Sequence, residues 1–296
     1  MKKSMLVLAL LVAVSGVHAE DTLKKIKDSG AVTMGVRESS GLSYTIGDGK
    51  YVGYHIDVCT KVLADVQKQL GLAKLDVRYQ PVTSQNRIPL VLGGNVDLEC
   101  GSTTNNLARQ KEVAFAVTTY VEEVRIAVKA NSGVTSINQL QGKTVATTTG
   151  TTSVQTLRKH ERATGIDFKE VFGKDHADSF LLLESGRADA FVMDGSILAK
   201  NIATSKNPAD FKIVGEVLSV EPIAIMMRKD DPAFKKAVDD SIKAQIKSGE
   251  LAKTYDKWFL QPIPPAGAKI GMPVNEATKA AWANPNDKPM EEYAKK

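Results

Sequence analysis

Gly94-Asn95-Val96-Asp97-Leu98-Glu99-Cys100-Gly101-Ser102 and Gly186-Arg187-Ala188-Asp189-Ala190-Phe191-Val192-Met193-Asp194 are two versions of one pattern, 92 residues apart. Each follows an apolar run of helical spacing and opens on a glycine suited to cap that helix. An aspartate and a short hydrophobic strand come next. The same offset pairs Ser84 with His176, each in the loop ahead of its helix. A weaker echo sets Gly30-Ala31-Val32-Thr33 against Gly142-Lys143-Thr144-Val145, which carries Arg37 onto Thr149, each just past a strand. The repeat predicts two similar α/β lobes.

The rest of the chain fits that outline. Strands are predicted over 31–36, 77–82, 144–148 and 190–193, and helices over 153–164 and 234–247. Val58, Val62, Leu63, Val66 and Leu70 keep helical spacing, with Asp57 as N-cap and Gly71 as stop. Such alternation predicts parallel sheets. A length of 296 residues suits about two domains. Six of the eleven prolines fall between Pro262 and Pro289, so the C-terminal tail is expected to be irregular and to wrap the surface.

Composition narrows the function. The net charge is +5, but the basic residues are dispersed and aromatics make up only 6%, which argues against a nucleic-acid surface. Two cysteines exclude a disulfide scaffold and any four-cysteine zinc or iron–sulfur site. Lys2 and Lys3, an apolar run over 5–14, and Val17-His18-Ala19 read as a signal peptide cut after Ala19. Ten apolar residues cannot cross a bilayer that needs about 20. Export is expected, and two lysines leave with the leader.

In open α/β sheets ligands sit beyond the carboxyl ends of strands. Arg37, Ser102, Thr149 and Asp194 occupy such positions, so two facing lobes place them around one cleft. The turn Gly101-Ser102-Thr103-Thr104-Asn105-Asn106, ahead of a helix starting near Leu107, offers hydroxyls and N–H groups to a small anion. Arg109 follows and suits a carboxylate. Thr147-Thr148-Thr149-Gly150-Thr151-Thr152-Ser153 is a second hydroxyl-rich strand-to-helix turn without the spacing of a phosphate loop. Helix capping alone also accounts for both turns. Arg37, Arg87 and His176 are further cation candidates, the last between Asp175 and Asp178, which favour its charged form if near. Asp194, ending a buried strand, calls for a cationic partner such as a ligand ammonium, or else caps the next helix. Cys59 starts a helix and Cys100 ends a strand in the same lobe; a disulfide and two buried thiols are both open. No catalytic motif is present, the histidines are scattered, and neither metal nor cofactor is expected.

The chain resembles the periplasmic glutamate/aspartate-binding proteins of ABC importers, from about Leu23 to Lys288. The resemblance rests on Arg37-Glu38-Ser39-Ser40, Thr83-Ser84-Gln85-Asn86-Arg87-Ile88-Pro89, Glu99-Cys100-Gly101-Ser102-Thr103-Thr104-Asn105-Asn106, Gly150-Thr151-Thr152-Ser153, Lys174-Asp175-His176, Leu183-Glu184-Ser185-Gly186-Arg187 and Trp258-Phe259. It implies an α/β, two-lobe, type II periplasmic-binding-protein-like fold with a hinge of two crossing segments, near 120–124 and 217–221. The implied division is 20–120 and 220–262 for the first lobe, 121–219 for the second, and 263–296 for the tail. Arg109, Thr104 and the backbone at Ser102 and Thr152 would hold a ligand α-carboxylate, and Asp194 with Ser102 the α-ammonium. Arg37, Ser84, Arg87 and His176 would surround a side-chain carboxylate. Three arginines against one aspartate would leave the cleft cationic, matching an acidic amino acid. The expected partners are L-glutamate or L-aspartate and a membrane permease, with the protein a periplasmic monomer that does not bind nucleic acid. Two other readings are a cyclohexadienyl dehydratase-like enzyme on the same fold and a sensory receptor module. The sequence departs from the family at Gly41-Leu42-Ser43-Tyr44, at Gly195 and over 217–227.

Overall fold

The computed structural model describes residues 21–293; the expected leader, 1–19, and its cleavage point lie outside them. Helix α1 (Thr22–Ser29) starts at Asp21, whose side chain accepts the Lys24 N–H, and stops at Gly30 in the left-handed conformation. Strand β1 (Ala31–Val36), the β2 (Tyr44–Thr45)–β3 (Tyr51–Val52) hairpin, α2 (Tyr54–Gln69) and β4 (Asp76–Pro81) follow. Next come α3 (Arg87–Leu92), β5 (Leu98–Glu99), α4 (Leu107–Gln110) and β6 (Val113–Phe115). The second lobe holds β7 (Tyr120–Lys129), β8 (Thr144–Thr148), α5 (Thr152–Thr164), β9 (Lys169–Gly173), α6 (His176–Glu184), β10 (Ala190–Asp194), α7 (Gly195–Ala203) and β11 (Phe211–Ile223). The chain then returns through β12 (Met226–Arg228), α8 (Pro232–Ser248) and α9 (Glu250–Phe259), and α10 (Glu276–Ala283) and α11 (Met290–Tyr293) lie in the tail.

Two five-stranded sheets result, ordered β4-β1-β5-β12-β6 and β11-β7-β10-β8-β9. They are mixed rather than wholly parallel. In each, three parallel strands carry the repeat, and an antiparallel pair completes the sheet. The antiparallel strands are those that enter or leave a lobe. The chain passes between the sheets from β6 to β7 and returns from β11 to β12, and β7 and β11 pair antiparallel along this passage.

The repeat has a physical basis. Gly94 and Gly186 are both left-handed, just past the ends of α3 and α6, and each donates its N–H back into its helix, to the carbonyls of Val91 and Leu183. Asp97 Oδ2 accepts the Thr33 N–H at 2.8 Å and Asp189 Oδ2 accepts the Thr144 N–H at 2.8 Å, so each aspartate locks its strand to the neighbouring one. These bonds equate Thr33 with Thr144. The weaker echo is therefore one residue out of register, and Arg37 corresponds to Thr148, not Thr149.

Three further expectations are corrected. Asp57 is not an N-cap: α2 begins a turn earlier after Gly53, because Tyr54, His55 and Ile56 are buried, and Cys59 lies inside the helix. Asp57 instead accepts from Trp258 Nε1 at 2.7 Å and Lys257 Nζ at 2.6 Å, tying α2 to α9. The tail is not wholly irregular, since α10 and α11 form within it. Its groups bond main chain near the passage between lobes: Thr278 Oγ1 accepts the Val121 N–H, and Trp282 Nε1 donates to the Thr119 carbonyl.

The first lobe's core packs α2, α8 and α9 on β1 and β5, with Tyr255 and Phe259 in ring contact with each other and with both Tyr54 and Tyr120. Of the two cysteine readings, the disulfide is formed: Cys59 and Cys100 are bonded, with their Cα atoms 6.4 Å apart. It fastens the start of the 101–106 turn to the buried face of α2. No helix among the described residues is long and apolar enough to cross a membrane.

Candidate ligand-binding site

The turn after β5 is held from below. His55, buried in α2, contacts the Gly101 carbonyl through Nδ1 and Thr119 Oγ1 through Nε2 at 2.7 Å. Burial lowers its pKa to about 4, so the ring is neutral at pH 7. Asn106 caps α4 by accepting the Arg109 N–H at 2.8 Å. That cap aims the guanidinium back along the turn. Its Nη1 donates to the Thr104 carbonyl at 2.8 Å and Nη2 to Gly150 of the other lobe at 3.5 Å.

Arg37 lies at the carboxyl end of β1 and is fully buried. Its Nη2 donates to Ser84 Oγ at 3.0 Å, faces His176 Nε2 at 3.0 Å, and lies 3.6 Å from Asp175 Oδ2. Arginine is only a donor, so His176 Nε2 must accept; the ring proton is then on Nδ1, which donates to Thr148 Oγ1 at 3.0 Å. His176 is therefore a neutral spacer and not the cation expected from its flanking aspartates. Burial, then the charges of Arg37 and Arg87, hold its pKa well below the usual value. The sequence neighbour Asp175 serves Arg37 instead.

Arg87 opens α3 and donates from Nη1 to the Ser102 carbonyl at 3.3 Å. Burial, followed by the Arg109 charge, lowers its pKa, since one cation is held near another away from water. Asp194, at the carboxyl end of β10, is likewise buried. Burial, then Glu122 and Glu221, raises its carboxyl well above the usual range, against the lowering effect of Arg87 and Arg109.

The lobes meet closely around these groups. A Cβ on Gly41 would lie 2.8 Å from the Ser196 carbonyl oxygen, and one on Gly150 would lie 2.9 Å from the Gln85 backbone. Ser39 Oγ accepts the Ala177 N–H at 3.0 Å, and Lys200 Nζ sits 4.7 Å from the Tyr44 ring centre. Both are contacts between lobes.

Arg37, Ser84 and His176 are bonded together; Arg87 bonds Ser102, and Arg109 bonds Thr104. Thr104 and Thr152 approach to 3.4 Å across the lobes. Thr149 stands apart: its N–H donates to the Gly173 carbonyl, and it is only partly buried. Sequence reasoning missed three buried carboxylates, Glu99, Glu122 and Glu221. They add acidic groups to a cleft expected to be lined mainly by donors. Glu99 accepts from Thr103 Oγ1 at 2.7 Å, and Glu122 accepts from the Ser196 hydroxyl and from its N–H at 3.2 Å. The only sequence signal for them is position: Glu99 ends a strand of the repeat, and Glu122 and Glu221 fall within the expected crossing segments.

Several buried polar atoms here have no hydrogen-bond partner among the described residues: Arg37 Nε and Nη1, Arg87 Nε, Ser102 Oγ and Asp194 Oδ1. Such groups are costly to bury unsatisfied. Glu99 Oε1 and Asp175 Oδ1 beside them are unpartnered as well, so the set combines donors on the two arginines and a hydroxyl with three carboxylate oxygens. No cluster of histidine, cysteine and acidic residues able to hold a metal occurs among the described residues.

A family model described as bacterial extracellular solute-binding proteins, family 3, matches residues 32–261. The chain is 45% identical over 273 residues to an L-glutamate/L-aspartate-binding protein of Pseudomonas aeruginosa, covering 92% of this chain and 90% of the relative. It is 41% identical to the glutamate/aspartate import solute-binding protein of Escherichia coli (strain K12), covering 98% of each. Among solved structures, an arginine-binding protein mutant from T. maritima superposes with a TM-score of 0.70 at 28% identity, covering 80% of this chain and 98% of that one.

Proposed function

The chain belongs to the bacterial extracellular solute-binding proteins, family 3, and we propose that it captures L-glutamate or L-aspartate between its lobes and delivers it to the permease of an ABC importer. It is a binding protein, not an enzyme. The observation that carries the ligand class is the buried unpartnered set, in which donors of Arg37 and Arg87 and the Ser102 hydroxyl stand with the Asp194 carboxylate as acceptor. An acidic amino acid supplies two carboxylates and one ammonium to such a set.

In this reading Arg37, Arg87 and Ser84 take the side-chain carboxylate, with neutral His176 fixing Arg37. Arg109 and the backbone near Ser102 and Thr152 take the α-carboxylate, and Asp194 with Ser102 takes the ammonium. Thr104, whose hydroxyl proton goes to Glu221, offers the ligand only its oxygen as an acceptor, while Thr149 lines the rim. The lobes divide near 120 and 220, where strands pass between sheets. The leader is cut after Ala19, and the mature protein works in the periplasm as a monomer. Closure is favoured because the ligand touches both lobes only in the closed state.

A thermal-shift panel of the twenty amino acids and simple dicarboxylates, on protein unfolded and refolded to remove carried-over ligand, tests this. Ligand at a hundred times Kd adds about 2.7 kcal/mol. Shifts with glutamate or aspartate support the reading. A shift with glutamine or arginine alone overturns it.

A further inference from the structure

Glu221 has no place in the expected site, yet it is fully buried between groups that do. Its Oε2 accepts from Thr104 Oγ1 at 2.6 Å and from Thr152 Oγ1 at 2.7 Å. Thr104 lies in the turn after β5, in the first lobe. Thr152 opens α5, in the second. The other oxygen, Oε1, accepts from Ser219 Oγ at 2.7 Å, which steadies the carboxylate on its own strand. That strand, β11, is one of the two that pass between lobes.

A hydroxyl has a single proton. Thr104 and Thr152 both commit theirs to one oxygen of Glu221, so each hydroxyl is oriented by the same atom. The two bonds exist together only while the lobes are together, because a separation of about 1 Å takes either past hydrogen-bonding distance. Bonds to a carboxylate are the stronger kind. A group that joins both lobes only after closure opposes reopening and leaves the initial encounter unchanged.

We propose that Glu221 is a positioning residue that clasps the two lobes, one carboxylate oxygen holding a threonine hydroxyl from each. The proposal rests on the ligand-binding reading above and extends it to a residue on the passage strand. The clasp governs how long a captured ligand is retained.

The test compares wild type with Glu221→Ala and Glu221→Gln. Stopped-flow binding of glutamate and aspartate gives association and dissociation rates. Pulsed electron paramagnetic resonance on ligand-free protein, labelled at Lys68→Cys and Lys169→Cys, gives the distance between lobes; both positions are exposed, and the native cysteines are bonded to each other. Glu221→Ala is expected to raise the dissociation rate by about tenfold or more. Its association rate should stay within about twofold, and its ligand-free distances should shift longer. Glu221→Gln, whose amide oxygen still accepts both hydroxyls, should recover most of the retention.

An unchanged dissociation rate and distance, a loss confined to association, or a glutamine variant no better than alanine would overturn the clasp. Should Glu221→Ala fail to fold, Thr152→Val removes the second-lobe half alone, and an unchanged dissociation rate there overturns it equally. If wild type binds a different amino acid, the function reading fails while the same rates, taken with that amino acid, still decide the clasp. The distance measurement needs no ligand.

Discussion

Glu122 and Glu221 stand directly opposite one another in the β7–β11 ladder, both buried, where the chain passes between lobes. Two carboxylates facing across a strand pair repel. The structure offsets this with hydrogen bonds: Ser196 and the Glu123 N–H serve Glu122, while three hydroxyls serve Glu221. Burial still dominates for Glu122 and raises its pKa from 4.5 to about 7, with the Glu221 charge adding to the rise.

That shift has a sign in stability. The folded state keeps a proton on Glu122 that the unfolded chain has released between pH 4.5 and about 7. The contribution of Glu122 is therefore most favourable below pH 4.5 and worsens as pH rises to about 7, by roughly 3 kcal/mol. Glu122→Gln removes this dependence. Denaturant unfolding at pH 5 and pH 7.5 should show the variant gaining on wild type at the higher pH. Parallel pH profiles for the two proteins would refute the assignment.

Arg87→Ala and Asp194→Asn should weaken binding of glutamate and aspartate through opposite ends of the ligand. Each leaves a buried charge without its counterpart, a loss of about 3–5 kcal/mol, or roughly 100- to 5,000-fold in Kd. Titration calorimetry measures this. Glutarate, which lacks the ammonium, should be penalised by Arg87→Ala and spared by Asp194→Asn; equal effects on both ligands would refute the assigned roles.

Gly41→Ala tests closure by sterics alone. The added methyl would lie 2.8 Å from the Ser196 carbonyl oxygen of the opposite lobe, a clash present only when the lobes meet. Affinity should fall by about tenfold or more, with the ligand-free melting temperature near that of wild type. Unchanged affinity would show that the lobes of the bound form are further apart than here.

Replacing Cys59 and Cys100 by alanine removes a link across 41 residues. The expected loss is about 2–5 kcal/mol of stability. Because the link anchors the start of the 101–106 turn, affinity should fall as well. Melting with and without reductant checks the first effect and calorimetry the second; a variant as stable as wild type would contradict it.

The parts legible from sequence were those governed by local periodicity. The strand over 144–148 and the helix over 153–164 follow from alternation and capping, and the structure begins that helix one residue earlier. Asp97 and Asp189 recur because each secures the equivalent backbone N–H of its own lobe, Thr33 and Thr144. The slip from Thr148 to Thr149 arose because short strings align equally well one residue apart, and only strand pairing decides between them. His176 was misjudged because its chain neighbours are acidic while its spatial neighbours are arginines.

The sequence by itself determined the two-lobe α/β plan, the exported character and the set of cations available to a cleft, because hydrophobic spacing and residue chemistry act over a few positions. Tertiary structure alone decided that Cys59 bonds Cys100, that His176 is neutral, and that Glu99, Glu122 and Glu221 join the cleft. Those outcomes depend on burial and on charges brought together from distant segments. The charge of a buried group is set by the free energy of leaving water against the partners it then meets, and that balance exists only once both lobes have folded around it.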